Sequence, residues 1–135
     1  MSLFRVTSIM LVILGLLICG VGIIHTWVGF GFFGESTQAA LGGWWASYLA
    51  MFFIAGAGLL LSGGLLIYYG AVLRKLKSDV LLPLFLVTLF LVIASILAVI
   101  SMANNIFSWI IAGLTLLIIV ALVFGFLAAK SLQSE

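Results

Sequence analysis

Ser8-Ile-Met-Leu-Val-Ile-Leu-Gly15-Leu-Leu-Ile-Cys-Gly-Val-Gly22-Ile-Ile-His-Thr-Trp-Val-Gly29, answered further on by Ala50-Met-Phe-Phe-Ile-Ala-Gly-Ala57-Gly-Leu-Leu-Leu-Ser-Gly-Gly64-Leu-Leu-Ile-Tyr-Tyr-Gly-Ala71, is the sequence that decides the fold. Each segment is apolar and carries a small residue at every seventh position. These are Ser8, Gly15, Gly22 and Gly29 in the first, and Ala50, Ala57, Gly64 and Ala71 in the second, with Gly56, Gly63 and Gly70 in the adjacent row. A seven-residue repeat keeps one face of a helix turned toward a left-handed supercoiling partner. In lipid no hydrophobic force drives helices together, and small residues on such a face let two backbones approach closely. The Ser8 and Ala50 lines are therefore expected to close on each other within one hairpin. Contact with partners then falls to the row of Gly56, Gly63 and Gly70.

Composition sets the solvent. Of 135 residues, 67% are hydrophobic and only 6% charged, with a mean hydropathy of +1.53, against about 25% charged residues in a soluble domain. Four apolar spans, at about 6–28, 44–72, 82–103 and 107–129, fill the chain as a single four-helix transmembrane domain. The expected class is all-α, an integral membrane up-down-up-down four-helix bundle. The run from Val6 to Val28 is too long for a signal-peptide core and lacks a small-residue exit, so it is expected to remain as a helix. Five basic and three acidic residues are too few and too scattered for a nucleic-acid surface. A single cysteine excludes an internal disulfide and any paired-cysteine redox or zinc motif.

Arg5, Arg74, Lys75, Lys77 and Lys130 all fall on one side of such a bundle, so the positive-inside rule predicts that both termini are cytoplasmic. The opposite side holds the longest connection, Gly29 to Gly43, rich in Phe30, Phe32 and Phe33 and flanked by Trp27, Trp44, Trp45 and Tyr48. Amphipathic rings of this kind anchor at the membrane interface. Ser36 or Thr37 is expected to cap a short helix running to Leu41 and broken by Gly42-Gly43. Ser78 or Asp79 is the expected cap of the third span, and Asn104-Asn105 the tight turn before the fourth. Thirteen of the fifteen glycines lie in residues 1–70, so the first hairpin should be the close-packed half.

No Asp, Glu, Lys or Arg falls in the middle of any span, where catalysis or ion coupling usually declares itself. The expected protein is non-enzymatic, with no metal site and no cofactor. His25 is the one titratable group to weigh, about 30 Å along the helix from Arg5 and so at the outer edge of the hydrocarbon layer. Two readings of it stand side by side: an interfacial histidine bonded to a loop carbonyl or to Glu35, and a ligand-binding group at a mouth formed with Trp27, Glu35, Trp44 and Trp45. A haem there would need a second axial ligand, from another copy of His25 or from Met51 or Met102. Cys19 reads as a small packing residue.

Gly22-Ile23-Ile24-His25-Thr26-Trp27-Val28-Gly29-Phe30, with Phe52-Phe53-Ile54-Ala55-Gly56 running into Leu59-Leu60-Leu61-Ser62-Gly63, resembles small bacterial four-helix membrane proteins of the DoxX-like group. The resemblance implies a multi-pass protein of the bacterial cytoplasmic (inner) membrane and a role for His25. The function expected from the residues is an accessory or structural subunit. It would pack through small-residue faces against its own copies or the helices of a larger complex, with membrane lipids around it. The alternatives are a lipid-, quinone- or haem-binding module with an outer-leaflet site near His25, and a channel or carrier formed by an oligomer.

Overall fold

The computed structural model describes residues 3–32 and 34–133, with side chains at all of these except 30, 32, 35–36, 74–78 and 132–133. Phe33, and the side chains of Phe30, Phe32, Glu35, Ser36, Arg74, Lys75, Lys77 and Ser78, therefore lie outside the described residues. The chain forms α1 (Leu3–Phe32), a short α2 (Glu35–Leu41), α3 (Trp45–Leu76), α4 (Leu81–Ser101) and α5 (Ile106–Gln133), with single 3-10 turns at Gly42–Trp44 and Lys77–Val80. α1, α3, α4 and α5 are each long and apolar enough to cross a membrane. α1 packs along α3 on one side and along α5 on another, while α4 packs along α5 and more sparsely against α3.

All four long helices bury residues in alternating steps of three and four. On α1 the buried set includes Phe4, Ser8, Leu11, Gly15, Ile18 and Gly22; on α3 it includes Gly56, Leu59, Gly63, Leu66, Gly70 and Leu73. α4 repeats the pattern in Leu81, Leu84, Thr88, Leu91 and Ser95, and α5 in Ser108, Ile111, Thr115, Ile118, Leu122 and Gly125. Such a 3.5-residue step is the signature of helices wound around one another with interlocking side chains. The large members fill the centre: Leu11, Ile18, Leu66, Leu84, Leu91 and Ile118 are all 0% exposed. α1 carries a second buried row in Thr7 and Leu14, and Gly125 of α5 lies over the Thr7 methyl. With two faces covered, α1 has 44% of its most apolar stretch buried, against 22% for α4, the helix most open to lipid.

The α1–α3 seam corrects the expected pairing. The row of α3 that meets Ser8, Gly15 and Gly22 is Gly70, Gly63 and Gly56, running antiparallel. Ala50, Ala57, Gly64 and Ala71 are all exposed, and nothing lies within 4 Å of where a Gly64 Cβ would stand. Adjacent residues on a helix stand about 100° apart, so the two rows differ by a one-residue rotation. The leucines decide it. Leu59, Leu66 and Leu73 flank the Gly56 row at the three- and four-residue spacing of one interlocking face, and facing α1 buries them together with the glycines.

Polar groups follow the seam. Buried Ser8 donates its hydroxyl to the Gly70 carbonyl at 2.7 Å, tying the start of α1 to the end of α3. Thr88 and Thr115 return their hydroxyls to the carbonyls four residues back, Leu84 and Ile111, at 2.8 Å each. Ser8→Ala is expected to cost about 1 kcal/mol, the typical net value of one buried hydrogen bond. A chemical-denaturation curve of the purified protein measures it, and an unshifted curve would deny the bond that value.

The connections explain two further differences. α2 forms where expected, but its cap is the backbone of Gly34, whose carbonyl accepts from Thr37 N at 3.1 Å and Gln38 N at 3.0 Å. Gly42 ends it at φ +53°, a left-handed turn that suits glycine. Among the described side chains none caps α4, which opens directly from the Lys77–Val80 turn rather than from Asp79. At the opposite turn Asn105 acts as expected, its Oδ1 accepting the Phe107 amide at 3.0 Å. Trp109 closes that turn by donating Nε1–H to the Ala103 carbonyl at 2.8 Å.

Candidate functional site

The most extensive helix pairing among the described residues runs along the α1–α3 seam, and its outer end holds the chain's single histidine. At mid-seam the contact is backbone on backbone. A Cβ on Gly15 would stand 2.7 Å from the Gly63 carbonyl oxygen, and a Cβ on Gly63 would stand 2.7 Å from the Gly15 oxygen and 2.8 Å from the Cys19 nitrogen. Each glycine is thus required by the other. Cys19 belongs to the same contact, its thiol over Gly63 and donating to the Leu60 carbonyl at 3.6 Å, so its packing reading gains a specific partner. One repeat further out, Gly22 faces Leu59, Leu60 and the Gly56 carbonyl, and Thr26 lies over Gly56 while donating its hydroxyl to the Gly22 carbonyl at 2.9 Å.

His25 and Gly29 continue the inward steps of α1, and between them they seat the ring of Phe52. The His25 and Phe52 rings stack with centroids 3.9 Å apart and planes 8° from parallel. A side chain on Gly29 would run into the same phenyl ring. His25 and Gly29 stand four residues apart on one face of α1, and the Phe52 ring packs against both.

The residues expected to form a mouth are not gathered into one. Trp27 is 79% exposed and Trp44 71% exposed, both turned outward at the interface. His25 and Trp45 are half-buried, and their Nε2 and Nε1 atoms are enclosed without a hydrogen-bond partner among the described residues. Glu35 begins α2, and its side chain lies outside the described residues. Because His25 Nε2 is enclosed within the chain, an axial bond to a haem or metal would require the ring to leave Phe52. Met51 is 66% exposed on the outside of α3, turned away from that ring. Among the described residues no three His, Cys, Asp or Glu side chains come together.

Two contributors escaped the sequence reading, Phe52 and Thr26. Phe52 had a signal: Trp45, Phe52, Leu59, Leu66 and Leu73 stand seven apart, a line of large residues beside the glycine row, and each is buried or half-buried. Thr26 had none, since a threonine four residues beyond a glycine is common in apolar helices and bonds its own backbone. Comparisons with protein-family models, with curated proteins and with solved structures find no match to this chain.

Proposed function

We propose that the chain is a non-enzymatic accessory subunit of a membrane assembly, built as an up-down-up-down bundle with both termini cytoplasmic in a bacterial inner membrane. The observation that carries this reading is the row Ala50, Ala57, Gly64 and Ala71, small, exposed and spaced by sevens along the outside of α3. The neighbouring glycine row is consumed by α1, so this second row is the one left for another helix to approach closely. The cytoplasmic placement follows from the five basic residues, all near one end of the helices.

The test uses pairs of labelled chains in proteoliposomes. Wild-type protein is expected to show energy transfer between copies, or to retain a partner when purified from native membranes. Ala57→Leu with Gly64→Leu is expected to remove that association about tenfold while leaving thermal unfolding of the single chain in place. A strictly monomeric wild type that retains no partner would overturn the reading.

A further inference from the structure

We infer that the basic end of the bundle is a binding surface for anionic phospholipid head groups. Helix packing gathers to this end three stretches remote in sequence. The Ser8–Gly70 hydrogen bond brings the start of α1 to the end of α3, and Gly125 of α5 lies against both Thr7 of α1 and Leu81 at the start of α4. Arg5, Arg74, Lys75, Lys77 and Lys130, every lysine and arginine in the chain, therefore share one rim. Against them within residues 3–133 stands Asp79 alone, since Glu35 belongs to the opposite end.

Arg74 and Lys75 in the last turn of α3 and Lys130 in the last turn of α5 also offset the negative ends of their helices, whereas Arg5 offsets none. Arg5 is exposed in the first turn of α1, a turn with no acidic residue, so its charge adds to the positive end of the helix dipole and to the free amides there. Lys130 is exposed at the end of α5. Arg74, Lys75 and Lys77 occupy the last turn of α3 and the turn into α4. With all four long helices crossing a bilayer, this rim stands at head-group depth, where lipid phosphates are the available anions. The opposite rim has no lysine or arginine, so the preference belongs to one leaflet. The inference rests on the membrane-crossing helices and not on the subunit role.

Native mass spectrometry of the full chain, released from detergent containing equal phosphatidylglycerol and phosphatidylcholine, tests it. Wild type is expected to retain phosphatidylglycerol about tenfold over phosphatidylcholine. Substituting all five basic residues by Gln should bring the ratio close to one. Should that variant fail to fold, a salt titration of wild type decides instead, because the ratio must fall as ionic strength rises. Equal retention of both lipids by wild type, an undiminished ratio in the folded variant, or a ratio indifferent to salt would overturn the inference. None of these readings depends on association between copies.

Discussion

Gly63→Leu is expected to abolish the folded chain, whereas Gly64→Leu, one residue along the same helix, leaves its unfolding transition where wild type has it. At Gly63 even the first carbon of a side chain would stand 2.7 Å from the Gly15 carbonyl oxygen and 2.8 Å from the Cys19 nitrogen. Both are backbone atoms, so no rotamer change relieves the clash and the two helices must separate. Separation then removes the Ser8–Gly70 hydrogen bond and opens the packing of Leu59, Leu66 and Leu73 along the same face. Overpacking an ordinary core costs about 1–3 kcal/mol, and forcing apart a backbone contact exceeds that range. Against a total stability of about 5–15 kcal/mol, such a loss is decisive. Gly63→Ala should fall between, lowering the denaturation midpoint without eliminating the folded state. At Gly64 a side chain meets nothing within 4 Å and extends into lipid. Size-exclusion profiles and denaturation curves of the three variants check the order. Gly63→Leu unfolding together with wild type would contradict the seam.

How much of this was legible beforehand follows from what each signal encodes. Four long helices follow from length and apolarity alone, since only an intramolecularly bonded backbone survives in hydrocarbon. The seven-residue lines named both partners of the tight pair and, on α1, the correct face. On α3 they left two candidate rows, because Ala50, Ala57, Gly64 and Ala71 are as regularly spaced as Gly56, Gly63 and Gly70. Spacing of small residues alone does not separate the rows. Adding the leucines does, for Leu59, Leu66 and Leu73 complete the interlocking face only with the Gly56 row. The site residues were harder. Trp27, Trp44 and Trp45 share a composition signal for the interface, and composition carries no information about direction around the helix. Direction sends Trp27 and Trp44 outward and keeps Trp45 half-buried.

Phe52→Ala is expected to destabilise the outer third of the seam by about 2 kcal/mol, below the value for a fully buried aromatic side chain because the ring is only half-buried. The ring occupies the notch between His25 and Gly29, so its removal leaves a void bounded by two residues one turn apart on α1. Gly29→Ala attacks the same contact from the other side, since its methyl would run into the phenyl ring and push it out. Each single substitution therefore destabilises, and the double one should cost about 1 kcal/mol less than their sum, because the new methyl enters the space the ring vacates. The same pair reports on His25. With Phe52 in place the imidazole face is covered and Nε2 is enclosed, so diethyl pyrocarbonate should modify wild type slowly. Phe52→Ala uncovers the imidazole face, and modification should rise about tenfold or more, as expected when an opening costing about 1.4 kcal/mol is no longer needed. The chain holds a single histidine, which makes the label unambiguous. Equal labelling of wild type and variant would show that Phe52 does not hold His25 closed, and strict additivity in the double substitution would remove the notch itself.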